Sequence, residues 1–486
     1  MRGTPGQRKR WAYRLAQMEP PFGLCCFPRL GLGKGYLWPL GGECREEAQL
    51  LSGRGVGPAA ERIDVPATVV VGSQWGDEGK GRVVDLLAAD ADLVVRFQGG
   101  NNAGHTVWVG DQRYAFHLIP TGILRGKLSV LGAGMVIDLS VLLQEATELA
   151  ARGVPVQGNL RISENAHLIL PYHKVMEKAE EERRGSRAIV TSRRGIGPAY
   201  DDNVARRGFR VGDLRDPDGL ARKLDDILAY KNAIIESCYA LPAVDRDEIY
   251  QDLRAKYDHF REWICDISTL VLDHLSGGKN VLFEGAHGTM LDIDWGTYPY
   301  VTSSNPLSGA VCAGAGVGPK CIGRIIGVAK AYTTRVGAGP FPTKQDEVAK
   351  VIRDLGGEYG TTTGRARDVG WLDCVVLRKA ARLNGLDSLA ITHLDVLGQF
   401  DEIPVCVSYN CDGASLTEFP NDIDKLNRCR PVYENLLGWR SDISGARGFS
   451  DLPEQAKRYL NRISELVGVP ISHVLVGRQR GQDILL

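Results

Sequence analysis

The chain has 486 residues, 43% hydrophobic and 24% charged, enough to bury a large core in one big α/β domain or two domains. Lys and Arg total 59, as do Asp and Glu, so no overall field points to a nucleic acid or a membrane surface, and any anionic ligand has to be held by local clusters. The 11 cysteines are odd in number and contain no C-x-x-C pair; neither a disulfide framework nor a zinc site is indicated, and a reducing, cytoplasmic setting is expected. No apolar run approaches the ~20 residues of a membrane-spanning helix.

The N-terminal stretch stands apart. "MRGTPGQRKRWAYRLAQ" is basic, and the following "PPFGLCCFPRLGLGKGYLWPLGG" is broken by Pro and Gly and lacks the uninterrupted apolar region of a secretory signal. Residues 1–65 are expected to be a disordered N-terminal extension, with a transit peptide as the lesser reading because the stretch is poor in Ser. Residues 66–486 are expected to form the folded domain.

From Thr68 onward strand-like and helical patterns alternate. "TVVVG", "DLVVRF", "RYAFHL", "LSVLGAGMVI", "NVLFEGA", "IGRIIGVAKAY", "SLAITHLDVL" and "IPVCVSY" are short runs rich in β-branched residues, several of them apolar throughout, as buried strands are. Between them lie the amphipathic segments "SVLLQEATELAARG" and "LPEQAKRYLNRISELVG" and the long "DEIYQDLRAKYDHFREWICDISTLVLDHLSGG". The alternation predicts an α/β fold around a central, mostly parallel sheet flanked by helices.

The segment "VVVGSQWGDEGKGRVVDLL", residues 69–87, reads as strand, glycine-rich turn and helix. Its glycines let backbone N–H groups approach a phosphate, and a helix beginning near Lys80 offers its positive end. It is not an ordinary P-loop: six residues rather than four separate Gly72 from Gly79, and Gly81 stands where Ser or Thr would hold magnesium. Asp77 and Glu78 would repel a bare phosphate unless a cation or a proton-transfer task required a carboxylate; the plain alternative is a tight glycine turn with solvated acids. A second polar loop, "RFQGGNNAGHT", follows the next strand with Asn101, Asn102, His105 and Thr106, at the strand end where ligands of open α/β sheets bind.

Taken in order, "QWGDEGKGR", "QGGNNAGHT", "HLIPTGIL", "RGIGPAYDDNVARRGFRVGDL", "FEGAHGTMLDIDWGTYPYVTSSN", "KAYTTRVGAGPFPT" and "TTTGRARDVGWLD" resemble the adenylosuccinate synthetase family along residues 66–486. The resemblance implies a P-loop-NTPase-related fold, usually a homodimer, that joins IMP to L-aspartate with GTP. It assigns Asp77 as the base that takes the N1 proton of IMP and, with the Gly104 carbonyl, as a ligand of Mg²⁺. His105 would hydrogen-bond the phosphoryl group, and Lys80 would neutralise phosphate charge.

The other roles it implies fall on residues matching the family's motifs. GTP would be held by Gly76, Glu78, Gly79, Gly81 and Arg82, by Gly104 and Thr106, by Arg367, by His393, Leu394 and Asp395 around the base, and by Leu475, Val476 and Gly477. IMP would meet Asp77, Lys80, Asn102, Ala103, His105, Ser192, His287, Thr302 and Arg365, with Arg206 reaching the IMP phosphate of the neighbouring subunit. The loop Thr361, Thr362, Thr363, Gly364, Arg365, Ala366 and Arg367 resembles the aspartate-binding loop, its arginines offering planar forks suited to carboxylates.

Several ligand positions depart from the family's pattern. The usual Gly-Thr-Thr-Gly run is Val190-Thr191-Ser192-Arg193, the usual Gln of "EGAQGT" is His287, the Lys of "TKLD" is His393, and the usual Gly-Pro pair is Gly477-Arg478. Asp368 stands where Arg or Cys is common. These changes leave open a paralogue that forms the same kind of C–N bond on a modified nucleotide or with another amino acid; a noncatalytic nucleotide-binding protein is opposed by Asp77, Lys80 and His105.

Overall fold

Apolar strands stacked in parallel organise the molecule. The computed structural model describes residues 67–360, 364 and 366–486, which belong to one compact unit; the expectation of a disordered extension over 1–65 lies outside the described residues. In chain order the main elements are β1 (Ala67–Gly72), α1 (Lys80–Leu87), β2 (Leu93–Gly99), β3 (Leu128–Ile137), β4 (Leu160–Ser163), β5 (Ile264–Cys265), α2 (Ile267–Ser276), β6 (Val281–Glu284), β7 (Arg324–Lys330), β8 (Ser388–Thr392), β9 (Ile471–Leu475) and β10 (Asp483–Leu485). They make a sheet in the order β10-β9-β8-β7-β1-β6-β2-β3-β4-β5, with the short pair His167–Leu168 added beside β3. Every pairing is parallel except β9 with β10.

The β-branched run of β1 explains its central place. Val69, Val70 and Val71 are all fully buried. Val70 packs with Val83 and Val84 of α1 on one face, while Val69 and Val71 pack with Ile267 and Val271 of α2 on the other. A strand covered on both faces needs an unbroken apolar run, as its sequence shows.

Three segments differ from the sequence expectation. "RYAFHL" supplies Gln112–Phe116, which pairs only with His105–Val109 in a separate hairpin, and "IPVCVSY" lies in Glu402–Cys411, which pairs with Arg430–Leu437 in a second, smaller sheet. The long amphipathic stretch is not one helix: Arg246–Phe260 ends near Trp263, β5 adds an edge strand, and Asp266 caps α2 by accepting from the N–H groups of Ser268 and Thr269. That internal cap was the readable signal for the break.

Candidate active site

The loops after β1, β2, β6, β7, β8 and β9 all leave the same, C-terminal edge of the parallel strands, where an open α/β sheet places its ligands. Central among them is the turn from β1 into α1. Gly76 and Gly79 have φ of 88° and 84°, and Asp77 between them has φ of 58°. Glycine meets this left-handed backbone without steric cost, and aspartate tolerates it better than most residues. The two acids of the loop separate in role. Glu78 is fully buried; its Oε1 accepts from the N–H groups of Gln74 and Gly76, both at 3.0 Å, and its Oε2 accepts from Lys80 Nζ at 2.6 Å. Glu78 therefore holds the loop and Lys80 in shape, and Asp77 is the carboxylate presented at its mouth.

The second polar loop closes directly on α1. A Cβ at Gly81 would lie 2.9 Å from that of His105, so the glycine permits the approach. His105 Nδ1 lies 2.5 Å from Glu284 Oε1, and the other oxygen of Glu284 accepts from the backbone N–H and hydroxyl of Thr121 at 2.8 and 3.0 Å. Arg96, fully buried, is 3.5 Å from the same carboxylate. Burial, helped by the nearby Arg96 charge, pushes the His105 imidazole below its usual range. Its Nε2 is buried without a partner among the described residues, which leaves that nitrogen for a ligand.

Of the residues expected around the nucleotide acceptor, Asn102, Thr302 and His287 are brought together here. Asn102 Nδ2 donates to Thr302 Oγ1 at 3.3 Å, and Asn102 Oδ1 has no partner among the described residues. His287, with φ of 60°, also has both ring nitrogens unpartnered; burial and the cations Arg96 and Lys80 lower it to about 3, so it serves as a neutral imidazole. Arg194 donates to the carbonyl of Asn101, tying the Val190–Arg193 loop to this centre. That loop is held from behind by Glu181, which accepts from the N–H groups of Ile189, Val190 and Thr191. Ser192 is exposed on it. Arg206 is exposed just after the helix Ile196–Val204.

The residues expected around the donor base follow Thr392, which meets the first loop at Gly79. Thr392, the last residue of β8, donates its hydroxyl to the Glu78 carbonyl at 2.6 Å and so fixes His393, Leu394 and Asp395 beside the glycine-rich turn. His393 has φ of 56° and meets the Tyr332 ring edge-on at 6.0 Å; burial lowers its imidazole to about 4. Burial raises the Asp395 carboxyl. The loop after β9, with Gly477, is secured by Arg82, which donates to the Gln479 carbonyl at 2.5 Å and pairs with Asp483 at 3.1 Å, and by Arg480, which pairs with Asp85.

Of the expected aspartate loop, Thr361, Thr362, Thr363 and Arg365 lie outside the described residues, while Gly364 and Ala366 are exposed. Arg367 is buried and comes to the centre. Its Nε is 2.9 Å from Asp77 Oδ2, and its other end donates to Glu358 at 2.5 Å. Glu358 also accepts from Lys330 Nζ at 2.7 Å and from the Tyr332 hydroxyl at 2.5 Å. Burial opposes its charge, but Lys330, His393 and Arg367 hold the carboxyl down to about 2. Sequence reasoning missed Glu284 and Glu358, the two buried acids that orient His105 and Arg367. The signal for Glu284 was present: an acid ending the apolar run "NVLFEGA" is out of place in a core unless cations await it.

A carboxylate and a backbone carbonyl, from Asp77 and Gly104, are hard oxygen donors. Among the described residues no three His, Cys, Asp or Glu side chains converge into a cage. Such a sparse set suits Mg²⁺, which keeps waters and phosphate oxygens in its shell. A glycine-rich loop with a buried lysine and a carboxylate at the edge of a parallel sheet defines a P-loop-related, nucleotide-dependent α/β enzyme.

The comparisons specify it further. The adenylosuccinate synthetase family model matches residues 69–484. The chain is 50% identical over 420 residues to an adenylosuccinate synthetase of Acetivibrio thermocellus, covering 86% of this chain and 99% of the relative, and 52% identical to that of Carboxydothermus hydrogenoformans, covering 86% and 98%. Its fold superposes with a TM-score of 0.82 on the fully ligated adenylosuccinate synthetase of Plasmodium falciparum, 36% identical, covering 86% of this chain and 99% of that one. A cyanophage succinoaminodeoxyadenylate synthetase, 19% identical with a TM-score of 0.55, shares the fold. The chain belongs to the adenylosuccinate synthetase family and is a ligase.

Proposed function

We propose that the enzyme ligates L-aspartate to IMP at the expense of GTP, passing through 6-phosphoryl-IMP and releasing adenylosuccinate, GDP and phosphate in AMP biosynthesis. The observation that carries this reading is that His105, with its Nε2 free, packs on Gly81 beside the buried Lys80, at the end of the same loop that presents Asp77. Asp77, at the mouth of the loop, takes the N1 proton of IMP so that O6 becomes nucleophilic. Lys80 and the loop N–H groups stabilise the transferred phosphoryl group, and His105 binds it on arrival and again as aspartate displaces it. Mg²⁺, held by Asp77 and Gly104, would neutralise charge on the donor phosphates. Arg367 and Arg365 receive the carboxylates of L-aspartate. Asn102, Ala103, Thr302, His287 and Ser192 surround IMP; His393, Leu394 and Asp395 read guanine. The setting is cytoplasmic.

Arg206, exposed and matching the family's arginine that reaches the neighbouring IMP phosphate, supports a homodimer whose subunits share sites. Mixing inactive Arg206→Leu with inactive Asp77→Asn protein restores part of the activity, because some mixed dimers hold one site with both residues intact; no recovery despite demonstrated subunit exchange refutes the shared site. The reaction itself is tested by a coupled assay of IMP, GMP and related acceptors against a panel of amino acids. IMP with L-aspartate gives the highest kcat/KM. A different pair leading would instead favour the paralogue that the changes at Val190, Arg193 and His287 allow.

A further inference from the structure

We propose that Cys411 and Cys429 form a redox-modification site, two thiols placed to close a disulfide across the second sheet. In that sheet Tyr409 faces Pro431 and Asn410 faces Arg430 in antiparallel register, and continuing that register by one residue sets Cys411, the last residue of its strand, opposite Cys429, which immediately precedes the other strand. Facing residues of an antiparallel pair lie roughly 4.5–5.5 Å apart at Cα, inside the range of about 4.4–6.8 Å that a disulfide spans. The side chains point the same way: both thiols donate to one acceptor, the Lys425 carbonyl, at 3.7 Å from Cys411 Sγ and 3.4 Å from Cys429 Sγ. Both are buried and both are free thiols.

The position has a consequence for the rest of the molecule. The bridge would close the segment 412–428, whose Phe419 ring packs 6.5 Å from that of Trp75, and Trp75, Phe419, Cys411 and Cys429 share one apolar cluster. Trp75 immediately precedes the Gly76–Gly79 turn. Closing a loop in this way restricts the unfolded chain and holds the floor beneath the phosphate loop.

Hydrogen peroxide is the oxidant. The thiolate of one cysteine attacks a peroxide oxygen, an S–O bond forms as the O–O bond breaks, and hydroxide leaves to take a proton. The second sulfur then attacks the resulting sulfenic acid, the S–S bond forms, and the S–O bond breaks to release water. Two thiols have lost two electrons and two protons, and one peroxide has become two waters. Burial pushes the Cys429 thiol up to about 11, so reaction follows local opening of the sheet edge.

The test treats the full chain with hydrogen peroxide in urea just below the unfolding transition, which exposes the pair, then alkylates free thiols and maps peptides by mass spectrometry. Expected are a peptide linked through Cys411 and Cys429 and a Tm several degrees above that of the reduced protein, reversed by dithiothreitol. Both are absent in Cys411→Ser and in Cys429→Ser, and both persist in Cys238→Ser. Separate alkylation or sulfinic acid at the two positions, or a linked peptide with no reversible rise in Tm, overturns the proposal.

Discussion

Arg367 bridges Asp77 and Glu358: its Nε lies 2.9 Å from Asp77 Oδ2, while its far nitrogen donates to the fully buried Glu358. The two contacts differ in kind. The one to Glu358 is a hydrogen bond inside a network with Lys330 and Tyr332, whereas the one to Asp77 is an ion pair without hydrogen-bond alignment at Nε. Glu358 is thus the anchor of Arg367 and Asp77 its weaker contact, and under the proposed function the Asp77 contact is the one that a substrate carboxylate would replace.

Glu358→Gln follows from that asymmetry. It removes the anion that balances buried Lys330 and steadies Arg367, and breaking a buried pair by deleting one partner costs about 3–5 kcal/mol. Urea unfolding is expected to show a loss of that order, and the KM for L-aspartate to rise about tenfold or more. Glu358→Asp, which keeps the charge, should recover part of both. A KM unchanged in folded Glu358→Gln would remove Glu358 from any role in positioning Arg367.

The pair His105–Glu284 sets a pH dependence. When Nδ1 donates to Glu284, the lone pair rests on Nε2, so donating to a phosphoryl oxygen requires the imidazolium. Burial lowers the His105 pKa, opposing that form, and the Glu284 carboxylate favours it. Removing the carboxylate lowers the pKa further, and the imidazolium is lost at lower pH. In Glu284→Gln the alkaline fall of kcat should therefore begin at lower pH than in the parent, with kcat reduced roughly 10²-fold or more. An alkaline limb that stays in place would show that His105 acts uncharged.

Backbone strain gives a third expectation. Val190 and Arg193 have φ of 65° and 57°, and Val190 is β-branched, for which the left-handed region is a genuine outlier. Left-handed backbone costs an L-residue about 1–2 kcal/mol. Val190→Gly and Arg193→Gly should each stabilise the protein by about 1 kcal/mol, less the extra chain entropy of glycine, and lower the KM for IMP by clearing bulk from the loop. Thermal unfolding and steady-state kinetics decide it; a lower Tm in both variants would mean that this backbone is not strained.

How much of this was legible depended on whether one residue carried its own signal. The β1–α1 turn could be read because glycines, acids and a lysine crowd between two apolar patterns. Lys80 and Asp77 stood out there, but that Glu78 would turn inward could not be read, since Asp and Glu differ by one methylene and only the folded loop shows which reaches Lys80. Glu284 and Glu358 lie 179 and 9 residues from the side chains they hold, His105 and Arg367. Neither spacing is helical or strand-like, so only the parallel packing of β6 against β2, and the return of the chain at Tyr359 and Ala366, bring them together. The smaller sheet, built around Glu402–Cys411, was invisible for the same reason: that strand resembles those of the main sheet, and alternation cannot say which sheet a strand joins.

Under the proposed function, the choice of donor nucleotide rests on Asp395 and His393. A carboxylate in this half-buried position accepts two hydrogen bonds from the N1–H and 2-amino group of guanine, whereas adenine offers an acceptor at N1 and no 2-amino group. Burial raises the Asp395 pKa, so its charge is costly until guanine donors arrive, and the wrong base leaves it unpaired. His393, lowered to about 4, meets the base as a neutral ring that can stack but lacks the long stem and charge of the lysine usual in the family. GTP is therefore expected to lead ATP in kcat/KM, with a weakened GTP affinity. Asp395→Asn should erode the lead by about tenfold or more, and His393→Lys should lower the KM for GTP while leaving kcat near that of the parent. Measuring kcat/KM for both nucleotides in the three proteins checks each step. ATP ahead of GTP in the parent would break the assignment of Asp395, and a raised GTP KM in His393→Lys would show that the imidazole, rather than a missing lysine, is the better partner for the base.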